Sequence, residues 1–166
     1  MGNVNSVKNS SMIAYAESVS QFKLPRWEQI PTLGLYMDQV VTVIEHALSP
    51  LIGFNGEAII TPSMINNYVK SRLIPRPTGK KYSREQIALL IMIVVLKQTS
   101  SMEDIRRMLA LGEAETVEGL YNSFSERFTR VIQAMCGETA AVAAPEYALD
   151  FATLASGYSA GTAAAV

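Results

Sequence analysis

Residues 87–96 read Ile-Ala-Leu-Leu-Ile-Met-Ile-Val-Val-Leu, ten apolar positions without a break. A membrane-spanning helix needs about 20 such residues, so the run must be covered by protein and not by lipid. Ser83 followed by Gln86 forms a capping box, which marks a helix opening at Arg84 and reaching about Gln98. A helix that is apolar on every side has no face to give to water. Other elements must therefore surround it, and the chain has amphipathic segments before and after it to do so.

Ahead of it, Tyr36, Val40, Val43, Ile44, Ala47, Leu48 and Leu51 recur at helical spacing, predicting a helix that Pro50 helps to end. Its opposite face carries Gln39, Thr42, Glu45 and His46, and a lone histidine there reads as a solvated residue. A second, shorter helix starts at Thr61 as cap with Pro62 in the first turn. Met64, Ile65, Tyr68 and Val69 share one side, continued by Leu73. Ser63, Asn66, Asn67 and Lys70 fall within an arc of about 100° on the other side, where no acid occurs. Pro75 and Pro77 flank Arg76, and Gly79 supplies a turn before Lys80-Lys81-Tyr82, which predicts a small β hairpin or wing.

Behind the apolar run, Ser100 with Glu103 or Ser101 with Asp104 caps a helix carrying Met102, Ile105, Met108 and Leu109. Past Gly112, Val117, Leu120, Tyr121, Phe124, Phe128, Val131, Ile132 and Met135 form a long stripe, with Thr116 as cap and Gly137 as stop. That face can pack within the chain or against a second copy. Leu24-Pro25-Arg26-Trp27 and Ile30-Pro31 read as an extended strap with Trp27 as its anchor, and Gly53 to Gly56 as a turn. Residues 1–23, Asn/Ser-rich and weakly periodic, read as a mobile arm or a frayed helix. Tyr147, Phe151, Leu154 and Tyr158 mark either a final helix from about Glu146 or a partly ordered tail. The expected class is mainly α, a winged helix-turn-helix with a small β wing and additional C-terminal helices. Its expected segments are the arm at 1–23, the winged domain with strap and helix at 24–111, and a helical region at 112–166 for dimerisation or partner binding.

Charge distribution points to a partner. No Asp or Glu stands between Glu57 and Glu85, while Lys70, Arg72, Arg76, Lys80, Lys81 and Arg84 do. That window carries +6, leaving −7 for the remainder of a chain whose formal total is −1. A basic stripe on an acidic protein is an electrostatic footprint for a polyanion. The single cysteine, Cys136, excludes an intrachain disulfide and has no companions for a zinc site. One histidine, one cysteine and no glycine-rich phosphate loop leave no recognisable catalytic site, so neither an enzyme nor a cofactor is expected. No basic segment followed by an apolar stretch opens the chain, so secretion is not expected; a cytoplasmic location is. The opening Met1-Gly2-Asn3-Val4-Asn5-Ser6 matches a short myristoylation pattern, for which chance is the better explanation.

A helix with a polar, acid-free face, a short basic hairpin and a capped apolar helix together have the layout of a winged helix-turn-helix. A recognition helix needs hydrogen-bonding side chains toward the major groove and apolar anchors behind them. Asn66 and Asn67 suit adenine edges, Ser63 at the helix start and Lys70 one turn along suit phosphates, and Arg72 is a further DNA-binding candidate. Arg76, Lys80 and Lys81 on a wing would lie over the neighbouring backbone, positioning the protein without reading sequence. Tyr82, like Tyr68, is open to two roles, core packing or a hydrogen bond to phosphate. Double-stranded DNA is the expected partner, with a homodimer and an unknown small-molecule effector as further candidates and no membrane.

The stretch Ile60-Thr61-Pro62-Ser63-Met64-Ile65-Asn66-Asn67-Tyr68-Val69-Lys70, then Arg72-Leu73-Ile74 and Lys80-Lys81-Tyr82-Ser83, resembles the recognition helix and wing of MerR regulators. Leu24-Pro25-Arg26-Trp27, Tyr36-Met37-Asp38-Gln39-Val40 and Met64-Ile65-Asn66-Asn67-Tyr68-Val69-Lys70 together resemble a bacterial family catalogued as a domain of unknown function and placed near MerR. That resemblance covers roughly residues 24–125. It implies a DNA-binding regulator. Two departures limit it: Asn66 stands where MerR proteins often carry an early arginine, and the metal-binding cysteines or large drug-binding domain are missing. Architecture carries over, and metal or drug sensing does not. A protein-interaction or small-molecule sensor module that keeps the fold without sequence-specific DNA binding is the rival reading.

Overall fold

The computed structural model describes residues 19, 21–51, 58–111 and 116–137. The expected arm (all but its last few residues), the turn at Gly53 to Gly56, the side chain of Cys136 and the final helix from about Glu146 lie outside the described residues. Five α-helices occur among the described residues: α1 Met37–Leu48, α2 Pro62–Lys70, α3 Arg84–Leu96, α4 Met102–Leu111 and α5 Val117–Gly137. Single 3-10 turns at Trp27–Gln29 and Ser49–Leu51 precede and follow α1, the second containing Pro50. The mainly α class holds, and no helix among the described residues is long and apolar enough to cross a membrane.

α3 is the centre of the core. Ile87, Ala88, Leu90, Ile91, Met92, Ile93 and Val94 are each at most 1% exposed, on all sides of the helix, as an unbroken apolar run requires. Around it α1 contributes Val40, Ile44 and Leu48, α2 contributes Ile65 and Tyr68, α4 Ile105 and α5 Tyr121. α1 packs on both α2 and α3.

The helix starts follow their sequence signals. Thr61 Oγ1 accepts from the Met64 N–H at 3.2 Å, with Pro62 at the first position, where a missing N–H costs nothing. The Ser83 N–H donates to Gln86 Oε1 at 2.8 Å while Ser83 Oγ accepts from the Gln86 N–H. At α4 the pair formed is Ser101 with Asp104, and Thr116 Oγ1 caps α5 through the Gly119 N–H. Tyr36 departs from its expected place on the apolar stripe. It is the N-cap of α1, its N–H donating to Gln39 Oε1 at 2.9 Å, and its ring is 50% exposed.

The expected β wing is corrected: no strand forms among the described residues. Two isolated antiparallel bridges stand in its place, Thr78 with Lys81 and Leu35 with Tyr82. The backbone groups that would lengthen a hairpin are committed elsewhere. Tyr82 exchanges both of its hydrogen bonds with Leu35, at 2.8 and 3.0 Å, and the Ser83 N–H is held by Gln86. Pro75 and Pro77 on the other arm have no N–H to offer.

Residues Lys23–Thr129 form one compact unit. It contains α1 to α4, the strap and the first part of α5. Trp27, 7% exposed, anchors the strap as its position predicts, with its ring centroid 6.3 Å from that of Tyr121. The Tyr121 hydroxyl donates to the Pro25 carbonyl at 2.8 Å, and the Leu24 N–H donates to Thr129 Oγ1 at 3.2 Å. Described residues outside this unit, Val19, Gln21, Phe22 and α5 from Arg130, group separately; there Gln133 Nε2 donates to the Phe22 carbonyl at 3.3 Å.

Candidate nucleic-acid interface

α2 has two sides. Ile65 and Tyr68 are buried, while Ser63, Asn66, Asn67 and Lys70 are all exposed, as the 3.6-residue period places them. The side-chain amides of Asn66 and Asn67 have no hydrogen-bond partner among the described residues, leaving donors and acceptors available to a ligand. The helix ends in a Schellman motif: the Leu73 N–H donates to the Tyr68 carbonyl at 2.9 Å and the Arg72 N–H to the Val69 carbonyl at 3.1 Å. Arg72 sits at the left-handed position of this motif with φ 60°, the place glycine usually takes.

Residues 78–81 make a two-residue turn, the Lys81 N–H donating to the Thr78 carbonyl at 3.0 Å. Both central residues are left-handed, Gly79 at φ 57° and Lys80 at φ 63°, which is the type I′ geometry that suits the twist of paired strands. The strap lies close beside this turn. A Cβ on Gly34 would stand 3.0 Å from Lys81 Cβ, so a side chain there would press on the turn by a few tenths of an ångström. Lys81 Nζ lies 5.2 Å over the Tyr36 ring, a cation–π contact between exposed partners.

The six cations of the acid-free window divide into kinds. Arg84 is structural: its Nε donates to the Ile30 carbonyl at 2.9 Å and its guanidinium lies 5.4 Å over the Trp27 ring. Lys81 is exposed but held against Tyr36. Lys70, Arg72, Arg76 and Lys80 are exposed, and their side chains have no hydrogen-bond or ion-pair partner among the described residues. Tyr82 and Tyr68 are only 2% and 3% exposed, and burial pushes both phenols above their ordinary value. Their burial supports core packing, one of the two roles open to them.

An open cleft of about 540 Å³ lies beside the turn, lined by Thr32, Gly34, Arg76, Lys81, Glu85 and Leu89 among others. Glu85 brings an acid to its edge, and a hydrogen bond from Ser83, then one from its own backbone N–H, hold its carboxyl below the usual range. No group of three or more His, Cys, Asp or Glu able to hold a metal occurs among the described residues.

The family model described as Domain of unknown function (DUF1836) matches residues 25–124. The chain belongs to the DUF1836 family. No curated protein and no solved structure matches it. The DUF1836 match begins at Pro25, whose carbonyl receives the Tyr121 hydroxyl, and ends at Phe124, three residues past Tyr121. It therefore takes in the strap, α1 to α4 and the part of α5 that closes on the strap. Two residues near the candidate interface of this DUF1836 chain escape sequence reasoning. Arg106 of α4 donates from Nη2 to the Ser71 carbonyl at 2.9 Å, at the exit of α2, while Nη1 pairs with Glu103. No sequence signal links positions 35 apart. Tyr36 could have been found, because Gln39 three residues on marks it as a cap.

Proposed function

We propose that this chain is a DNA-binding transcriptional regulator with a MerR-like winged helix-turn-helix arrangement. α2 is its recognition helix, entering the major groove, and the 78–81 turn is its basic wing, following the backbone. The observation that carries this reading is the exposed, acid-free side of α2 with two unpartnered asparagine amides. An asparagine side chain pairs bidentately with the N6 and N7 atoms of adenine, so Asn66 and Asn67 are the base readers. Ser63, Lys70, Arg72, Arg76, Lys80 and Lys81 make phosphate contacts, which set register and supply salt-dependent affinity. One module of this size has few base contacts, so two copies on two half-sites belong to the reading, with a cytoplasmic location and no catalytic role.

The open cleft beside the turn supports a second reading, a small-molecule sensor or protein-interaction module of the same fold. Gel shifts with the DNA upstream of the chain's own gene, repeated across salt, separate the two. Sequence-selective binding with a steep salt slope is the expected result. Absence of any shift at low salt sinks the regulator reading and leaves the sensor.

A further inference from the structure

Arg72 and Lys80 are the two non-glycine residues with positive φ among the described residues. Both are cations, and both belong to the acid-free window. For an L-residue with a Cβ, left-handed backbone is a conformation that glycine adopts at less cost. Each position is one where glycine is the usual choice: the residue after a helix C-cap for Arg72, the second central residue of a type I′ turn for Lys80. The neighbouring Gly79 takes the other left-handed place in the same turn.

Nothing within the described residues repays the strain at Lys80, because its side chain is exposed and unpartnered. Arg72 recovers part of the cost, since a cation at a helix C-terminus opposes the carbonyl end of the dipole. Strained backbone persists at sites where the side chain serves a ligand. The remaining cations stand on ordinary backbone, and two of them, Lys81 and Arg84, are occupied by Tyr36, Trp27 and the Ile30 carbonyl.

We infer that Arg72 and Lys80 are the principal phosphate-binding pair of this chain, one at the exit of α2 and one at the tip of the 78–81 turn. The inference rests on the DNA-binding reading and ranks the cations within it. Stability and affinity then trade against each other at these two positions, and at no other cation of the window.

The test uses the full chain and a duplex of mixed sequence, since phosphate contacts are independent of the operator. Thermal midpoints and salt-dependent anisotropy titrations are compared for wild type, Arg72→Gly, Lys80→Gly, Lys80→Asn, Lys80→Arg, Arg76→Gln and Lys81→Gln. Lys80→Gly should raise the midpoint by a few degrees, and Arg72→Gly by less. Both should weaken binding severalfold and flatten the log–log salt slope by about one. Lys80→Asn, which tolerates left-handed backbone without a charge, should weaken binding as the glycine does, and Lys80→Arg should retain it. Arg76→Gln should leave the midpoint unchanged, Lys81→Gln should not raise it because the Tyr36 contact is lost, and both should cost less affinity. Unchanged affinity in both glycine variants, or equal losses at all four positions, overturns the pairing while the DNA reading stands. A wild-type chain that binds no duplex at low salt overturns both.

Discussion

The Tyr121 ring is fully buried, and its hydroxyl donates to the Pro25 carbonyl, so one residue of α5 fixes the first turn of the strap. Tyr121→Phe should cost about 1–2 kcal/mol in urea unfolding, because a part-buried hydrogen bond is lost. Burial raises the phenols of Tyr68, Tyr82 and Tyr121 above the ordinary value of 10.0. In each the folded chain holds the proton more tightly than the unfolded one. Their contribution is therefore complete below about pH 10 and lost as pH rises from there through the raised values. Unfolding free energy followed against pH should fall above that point, and less steeply in Tyr121→Phe. On α2, Asn67→Ala should relax preference at one base pair, costing on the order of 1–3 kcal/mol against the preferred base; selection from a randomised duplex pool reads this directly. If the pool shows no change, Asn67 is not a base reader. Arg84 marks how far single residues are legible. It stands in the basic stripe like its neighbours, but the carbonyl it serves, Ile30, is 54 residues away, a distance that no local pattern reports.

Elements were legible where both their ends and their faces are written locally. The Thr61, Ser83, Ser101 and Thr116 caps are such cases, because the donor and acceptor lie three residues apart. The cap matters most at α2, which has nine residues, fewer than an isolated helix needs to persist in water. Thr61→Ala is expected to destabilise the chain by about 1 kcal/mol. It should also weaken DNA binding beyond what global unfolding explains, measured by comparing urea curves with titrations at a temperature where the variant is folded. The wing was legible only as a turn. Gly79 announces it, but whether strands follow depends on where the Tyr82 backbone groups go, and they go to Leu35. At the C-terminal end of α2, which closes after Lys70, the left-handed residue is Arg72, so no glycine marks the stop.

At the scale of the molecule, +6 is gathered in the acid-free window and −7 is spread over the rest. A polyanion is drawn to the window and repelled by the acidic remainder of the chain, which biases encounter toward the window. Four cations of the window are exposed without a partner among the described residues, Lys81 is the fifth of the proposed phosphate contacts, and each neutralised phosphate contributes about −0.9 to the slope of log affinity against log salt. A slope of about −4 to −5 per bound chain is expected, and a flat salt profile would show that the stripe does not meet DNA. The core helix sets how that stripe is presented. Because α3 is apolar all round, polar patterning does not select its rotation, which packing and a few hydrogen bonds set. Among the described residues, its polar ties to other segments lie in the first turn, where buried Gln86 donates to the Pro75 carbonyl at 2.9 Å and Arg84 to that of Ile30. Pro75 and Ile30 belong to the two segments that carry the turn and the strap. The setting of the core helix and the placing of the turn and the strap are thus tied together at one end of α3, as a key fixes a wheel to its axle.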